Sequence, residues 1–104
     1  MSIENLTALD TASYDEFLKN NEGIIIFHKK LCPHCKIMGT VLEKVSAQLP
    51  ITLAAVDSEE HADLMSAAEV ERVPTLAAVK GGKITARFTG IMNPKETIAW
   101  YKNA

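Results

Sequence analysis

The sequence lacks any apolar run long enough to cross a membrane. Its longest such run, Ile24-Ile25-Ile26-Phe27, is far shorter than the roughly 20 residues that a transmembrane helix needs. The N-terminus has no basic segment followed by a long apolar stretch, which is the pattern of a secretory signal. We therefore expect a soluble, cytoplasmic protein with no membrane partner.

An excess of charge of one sign is also missing. The chain has 11 Lys and Arg residues against 13 Asp and Glu residues, and its formal net charge at pH 7 is -2. Proteins that bind nucleic acids or anionic membranes usually present a surplus of basic residues that neutralises phosphate charge. We therefore expect no nucleic acid as a partner.

Cysteine is scarce, with Cys32 and Cys35 the only two among 104 residues. A chain of this length can bury a hydrophobic core without disulfide staples. We predict one domain over residues 1–104, and we expect it to be a monomer. In the cytosol, a Cys-x-x-Cys pair is more often catalytic or metal-binding than structural.

Strand-like and helix-like segments alternate along the chain. The β-branched and aromatic run from Ile24 to His28 is typical of a strand buried on both faces. Further strands are predicted at Ile51 to Val56, Thr75 to Val79 and Lys83 to Thr89, the last two joined by a turn at Lys80-Gly81-Gly82. With a weak first strand, the order β-α-β-α-β-α-β-β-α predicts an α/β fold with a mixed central sheet and helices on both faces.

Capping residues and apolar spacing predict four helices. The first is capped by Asp10 or Thr11, and the last is opened by Asn93 as cap with Pro94 in its first turn. The other two are predicted from Pro33 to Leu49 and from Glu59 to Ala68, the latter capped by Ser58. The long helix is expected to turn inward its apolar residues Ile37, Met38, Val41, Leu42, Val45 and Leu49.

The segment Leu31-Cys32-Pro33-His34-Cys35-Lys36 lies between a predicted buried strand and this long helix. Pro33 suits the first helical position, where its missing N–H is not needed. Cys32 then falls at the N-cap, and its sulfur can accept a backbone N–H from His34 or Cys35. The positive end of the helix also favours a thiolate, which is the nucleophilic form. We predict an activated Cys32 and a more buried Cys35.

Two other interpretations of the pair remain. Two packed cysteines at a helix start need no function at all. A zinc site needs four ligands, for which only His28, His34 and His61 remain as histidine candidates. Because His34 lies inside the pair and His61 begins a different helix, tetrahedral closure is disfavoured, and we expect no metal.

The sequence resembles the thioredoxin family over essentially its whole length, and more narrowly an atypical bacterial thioredoxin with a Cys-Pro-His-Cys active site. The likeness rests on the cysteine pair after a buried strand, Val73-Pro74-Thr75 as a cis-proline loop, the Gly82 turn, Gly90 after the last strand, and Val56-Asp57. It implies a thioredoxin fold in which Cys32 attacks a substrate disulfide and Cys35 resolves the mixed disulfide. It also implies that Pro74 lies against the pair, and that a thioredoxin reductase supplies the electrons.

The sequence departs from the family behind the cysteines. The family's buried aspartate, six residues before the first cysteine, is Ile26 here, and the tryptophan two residues later is His28. The lysine usually paired with that aspartate aligns with Leu53, and the proline that kinks the long helix is Thr40. The redox motif is thus retained while its polar surroundings are changed.

Several residues around the pair have candidate roles. Together with Pro33, His34 is predicted to tune Cys32, because a nearby cation lowers a thiol pKa. His28 is either a core histidine or a proton-transfer group, which the sequence leaves open. An apolar rim for an extended substrate segment is predicted from Leu31, Val73, Pro74, Gly90, Ile91 and Met92.

We therefore expect a protein-disulfide oxidoreductase that acts as a general reductant of protein disulfides, with the dithiol as its only cofactor. A net oxidase or isomerase is the alternative within enzymes. A redox-sensing binding module is the alternative of another class. The sequence does not reveal the redox potential or the substrates.

Overall fold

The computed structural model describes residues 6–104, which contain five strands and four helices. The strands are β1 (Thr7–Ala8), β2 (Gly23–His28), β3 (Thr52–Asp57), β4 (Thr75–Lys80) and β5 (Lys83–Thr89). They form one sheet in the order β1-β3-β2-β4-β5. The β1–β3 and β2–β3 pairs are parallel, whereas β2–β4 and β4–β5 are antiparallel. The predicted mixed sheet and element order are confirmed.

The helices are α1 (Thr11–Asn20), α2 (Pro33–Ser46), α3 (Ala62–Ala68) and α4 (Pro94–Asn103). Asp10 caps α1, where its Oδ1 accepts the N–H of Ser13 at 2.8 Å. Asn93 caps α4, with Pro94 at the first helical position as predicted. None of these helices is long and apolar enough to pass through a bilayer.

The central strand β2 separates two hydrophobic clusters. Ile25 and Phe27 pack with Tyr14 and Phe17 of α1, whereas Ile24 and Ile26 pack on the other face. That second cluster contains Met38, Val41, Leu42 and Val45 of α2 and Tyr101 of α4. Each fully buried aliphatic side chain of this kind stabilises a fold by roughly 1.5–3 kcal/mol. The prediction of a strand buried on both faces is confirmed.

Gly23 sets the close approach of β2 and β3. A Cβ at this position would overlap the backbone of Thr52. The glycine therefore allows β3 to pair with β2 along its full length, from Gly23 opposite Thr52 to His28 opposite Asp57. This register brings the carboxyl ends of both strands to the same edge of the sheet.

The long helix differs from the sequence prediction in two respects. It ends at Ser46 rather than Leu49, and the chain tightens there, since the N–H of Gln48 donates to the carbonyl of Val45 three residues earlier. Ile37 was predicted to face inward, but it is 46% exposed. It lies one turn before Val41, near the helix end that carries the cysteines.

The start of α3 also differs from the prediction. The helix begins at Ala62 behind His61, which makes no side-chain cap hydrogen bond, and not at Glu59 behind Ser58. Oδ1 of Asp57 accepts the N–H groups of Glu59 at 2.9 Å and Glu60 at 3.3 Å. These bonds hold residues 58–60 as a turn ahead of the helix, with Asp57 rather than Ser58 as the acceptor. The Ser58 cap was therefore wrong.

Candidate active site

The two cysteines lie where β2 leads into α2. Cys32 is the N-cap of α2 and has extended backbone angles, with Pro33 at the first helical position. Cys32 and Cys35 form a disulfide with their Cα atoms 5.2 Å apart. The N–H of Cys35 donates to Cys32 Sγ at 3.2 Å, so the predicted N-cap geometry is confirmed.

The two sulfurs differ in their access to solvent. Cys32 is 8% exposed and Cys35 is 1% exposed. A thiolate attacks a disulfide sulfur from outside, and Cys32 is the more accessible of the two residues. The burial order therefore agrees with the predicted division between an accessible Cys32 and a buried Cys35.

Leu31 is the most exposed large apolar residue among residues 6–104, at 96%. Its backbone is left-handed, with φ 56°, although it is not a glycine. A large side chain in this conformation costs of order 1 kcal/mol or more and is often found at functional sites. The sequence carries no signal for this strained backbone.

The loop before β4 carries the predicted cis proline. The Val73–Pro74 bond is cis, as the resemblance implies. Because Phe27 is opposite Thr75, Pro74 lies level with His28 at the end of β2. The N–H of Gly90 donates to the carbonyl of Pro74 at 3.1 Å. The hydrogen bond thereby joins the two loops predicted to contact substrate.

The predicted apolar rim is only partly exposed. Ile91 is 44% exposed and Val73 is half-buried, so both present apolar surface beside this loop. Met92 was expected in the rim, but it is buried and its N–H points at the Sδ of Met38. Met92 belongs to the hydrophobic core because α2 covers it.

Thr75 is a residue that the sequence analysis missed. Its hydroxyl is hydrogen-bonded to the carbonyl of Arg72 at 2.6 Å and to the hydroxyl of Thr89 at 2.7 Å. These bonds hold the proline loop against β5. A threonine after proline in a strand gives no sequence signal for such a role.

A cavity of about 680 Å³ lies beside the disulfide. We call it the rear cavity. Both cysteines line it, and its apolar walls are Leu6, Ala8, Leu9, Leu31 and Ala55. Its polar and charged residues are His28, Lys29, Lys30, Lys36, Asp57, Glu60 and His61. None of Val73, Pro74, Gly90 and Ile91 lines it, so the rear cavity and the proline loop are separate features.

His28 is half-buried and lines the rear cavity. Burial lowers the pKa of His28, and the negative charges of Asp57 and Glu60 oppose that shift. Asp57 stands opposite His28 in the parallel β2–β3 register. Ile26, two residues earlier on the same strand face, is fully buried and has no polar group.

His34 and Pro33 are both exposed in the first turn of α2, beside the disulfide. His34 thus has the proximity to Cys32 on which its predicted tuning role depends. No group of three or more His, Cys, Asp and Glu side chains that could hold a metal ion occurs among residues 6–104.

Comparison with known proteins agrees with the resemblance to thioredoxins that the sequence shows. Residues 5–103 match the family described as Thioredoxin. Mitochondrial thioredoxin of Bos taurus is 35% identical over 97 residues, which are 89% of this chain and 58% of that protein. Thioredoxin-2 of Saccharomyces cerevisiae is 34% identical over 101 residues, covering 90% of this chain and 96% of that protein.

A solved structure agrees over the full length. Reduced desulfothioredoxin from Desulfovibrio vulgaris Hildenborough superposes with a TM-score of 0.85 and 40% identity, covering 100% of both chains. The sheet order, the cysteine pair at disulfide distance and these likenesses agree with one another. The chain therefore belongs to the thioredoxin family.

Proposed function

We propose that this protein reduces protein disulfides by dithiol–disulfide exchange at Cys32 and Cys35. The observation that carries the proposal is the N-cap position of Cys32, whose sulfur accepts the N–H of Cys35 at 3.2 Å. In the reduced protein, the same N–H and the positive helix end stabilise a thiolate on Cys32. Cys32 is therefore the attacking sulfur, and Cys35 is the resolving one.

The exchange takes two steps. The Cys32 thiolate attacks a substrate disulfide, so that a Cys32–substrate bond forms and the other substrate sulfur leaves as a thiolate. The deprotonated Cys35 then attacks Cys32, forming the Cys32–Cys35 bond and releasing the second substrate thiolate. Two electrons pass from the dithiol to the substrate. The Cα separation of 5.2 Å is compatible with this closure within one helical turn.

The substrate surface in this proposal is the apolar rim beside the proline loop. Ile91 is exposed there and Val73 is partly exposed, and Leu31 adds an exposed apolar side chain next to Cys32. An extended segment on either side of the substrate cysteine buries these side chains and pairs with the backbone before Pro74. Such a surface suits many unfolded or flexible disulfide-bearing proteins.

The proposal includes an electron donor and a setting. Thioredoxin-named relatives support a thioredoxin reductase as the donor that restores the dithiol. We further propose that residues 1–104 act as one monomeric domain in the cytoplasm, with no cofactor besides the cysteine pair.

Trapping of the mixed disulfide tests the assignment. In Cys35→Ser, Cys32 can attack but no second thiol resolves the mixed disulfide. Covalent complexes with disulfide-bearing proteins should therefore accumulate, and a strong reductant should separate them. Cys32→Ser is the matched control and should trap nothing. Complexes that form with Cys32→Ser instead would reverse the roles, and none with either variant would refute the mechanism.

A net oxidase is the second candidate, favoured by the charge around Cys32. Lys29, Lys30, His34 and Lys36 are all exposed close to the pair in sequence. Positive charge stabilises the thiolate and makes the disulfide more oxidising. The equilibrium potential separates the two functions, since a reductant lies near about -270 mV and an oxidant near about -120 mV. A redox-sensing module would turn over no generic protein disulfide.

A further inference from the structure

The second step of the proposed exchange needs a proton acceptor. Cys35 is 1% exposed, and a buried thiol is a poor nucleophile until it loses its proton. Ile26, fully buried behind the pair, cannot accept one. The acceptor must therefore be another group that shares space with Cys35.

The rear cavity is the space that Cys35 shares with titratable groups. The described groups that face it are His28 from β2, Lys29 and Lys30 from the loop after β2, Lys36 from α2, and Asp57, Glu60 and His61 from the end of β3 and the segment after it. The lysines are protonated at neutral pH and cannot serve as bases. The choice lies between two carboxylates and two histidines.

The carboxylate of Asp57 already makes hydrogen bonds to the backbone. Its Oδ1 accepts the N–H groups of Glu59 at 2.9 Å and Glu60 at 3.3 Å. It lies opposite His28 in the register, so its negative charge favours a positive ring on His28. Asp57 is thus placed to stabilise an imidazolium rather than to take the proton itself.

His28 has the properties of the acceptor. It lies on the same face of β2 as Ile24 and Ile26, the face that packs against α2, which carries Cys35. Burial lowers the pKa of His28, so the neutral imidazole is the form present at pH 7. Glu60 is exposed, and His61 lies at the start of α3, outside the β2 strand that leads to Cys32.

We propose that His28 accepts the proton of Cys35 through water in the rear cavity, with Asp57 as the residue that stabilises the charged ring. The cavity of about 680 Å³ has mostly apolar walls, but it includes His28 and Asp57, and it has room for several water molecules that these polar side chains can bind. The inference rests on the proposed function. In it, His28 accepts the proton that a carboxylate at position 26 would otherwise accept, because Ile26 has no acidic group.

The step balances as follows. The Cys35 S–H bond breaks, and its proton passes through water to the neutral imidazole of His28. The Cys35 thiolate attacks Cys32 of the mixed disulfide, the Cys32–Cys35 bond forms, and the substrate sulfur leaves with the electron pair. The imidazolium then returns its proton to the substrate thiolate or to solvent.

Single-turnover kinetics of the full chain test this inference. The reduced protein is mixed with a disulfide-bearing peptide, and the reaction is quenched with acid at a series of times. Mass spectrometry then distinguishes the mixed disulfide from the products by mass. In His28→Asn, resolution at pH 7 should slow by at least about tenfold, so the mixed disulfide accumulates. The rate of the wild type should show an inflection at the pKa of His28 that the variant lacks. Ile26→Asp added to His28→Asn should restore part of the rate.

Two controls make the result specific. His61→Asn alters a histidine of the same cavity and should resolve within about twofold of the wild type. The attack step, measured as mixed-disulfide formation in Cys35→Ser with and without His28→Asn, should be unchanged. Failure of the mixed disulfide to form in the wild type and Cys35→Ser would refute the proposed function and this inference together.

Three outcomes would overturn the inference alone. The first is a His28→Asn variant that attacks and resolves like the wild type. The second is slower resolution with the inflection retained, which is what a structural role produces. The third comes from the unmodified protein by NMR, which avoids any folding defect of the variant. The ring of His28 should titrate at different pH in the oxidised and the reduced protein, and identical titrations would show that it does not sense Cys35.

Discussion

The N–H of Cys35 donates to the sulfur of Cys32 at 3.2 Å in the disulfide, and we propose that the same donor stabilises the Cys32 thiolate after reduction. Because Pro33 has no N–H, the donors at this helix start are those of His34 and the residues after it. The side chain of His34 is exposed in the same helical turn, so a positive charge placed on its ring would lie close to the sulfur of Cys32.

Removal of that charge should make the disulfide less oxidising. His34→Ala is expected to raise the pKa of the Cys32 thiol and to lower the reduction potential by up to roughly 30 mV, the equivalent of one pKa unit. The measurement is redox equilibrium with glutathione, read by mass spectrometry of alkylated protein. Thr40→Ala, exposed on the same helix, should leave the potential in place. An unaltered potential in His34→Ala would make His34 a bystander.

Replacement of Leu31, whose backbone is strained, by glycine should make the protein more stable but less active. Its φ of 56° suits glycine, and its exposed side chain contributes nothing to the core. Leu31→Gly is expected to raise the free energy of unfolding by up to about 1 kcal/mol. The kcat/KM for protein disulfides should fall, because apolar contact with the substrate is lost.

Glu69 provides the matched control for Leu31. It has a φ of 58° at the C-cap of α3 and does not line the rear cavity. Glu69→Gly should therefore stabilise by a similar amount, measured by urea unfolding, with no change in kcat/KM. A Leu31→Gly variant with full activity would remove Leu31 from the substrate surface.

The stability of the protein should depend on pH through His28. Burial holds the pKa of His28 in the folded protein below the value of about 6.5 in the unfolded chain, so the unfolded state binds more protons. Stability should then fall as pH decreases through about 6.5 towards the folded pKa. Urea unfolding at a series of pH values should show a smaller decrease for His28→Asn than for the wild type. His61→Asn should retain the full decrease, and equal decreases in the wild type and His28→Asn would contradict the assignment.

The end of α4 should depend on Lys80 of β4. Its Nζ donates to the carbonyl of Tyr101 at 2.6 Å and to that of Ala104 at 3.3 Å, and it lies 4.4 Å from the ring centroid of Tyr101. Lys80→Met is expected to reduce the free energy of unfolding by about 1–2 kcal/mol, because a cation at a helix C-terminus and over an aromatic ring is lost. Lys83→Met, exposed on the next strand, should change it by less than about 0.5 kcal/mol. Equal effects of the two substitutions would refute the assignment.

Local patterns in the sequence were sufficient to predict where α2 and α4 begin. Asn93-Pro94 predicts a helix start because capping and φ preference involve only neighbouring residues. The same holds for Cys32 and Pro33 at the start of α2. Where a side chain competes for the backbone, as Asp57 does at Glu59 and Glu60, the composition of the segment predicted a helix three residues too early.

Burial and shape depended on contacts between distant parts of the chain. Ile37 is exposed and Met92 is buried because of how the helices pack over each position. The spacing of apolar residues along the sequence does not encode this packing. The replacement of a family tryptophan by His28 is visible in the sequence, but the rear cavity is not. The chain by itself determined the fold class and the chemistry of the cysteine pair, since both follow from short-range preferences and a motif. Only the tertiary structure brought His28, Asp57 and Cys35 to one cavity, because a parallel register and the packing of α2 on the sheet join residues that are far apart in sequence.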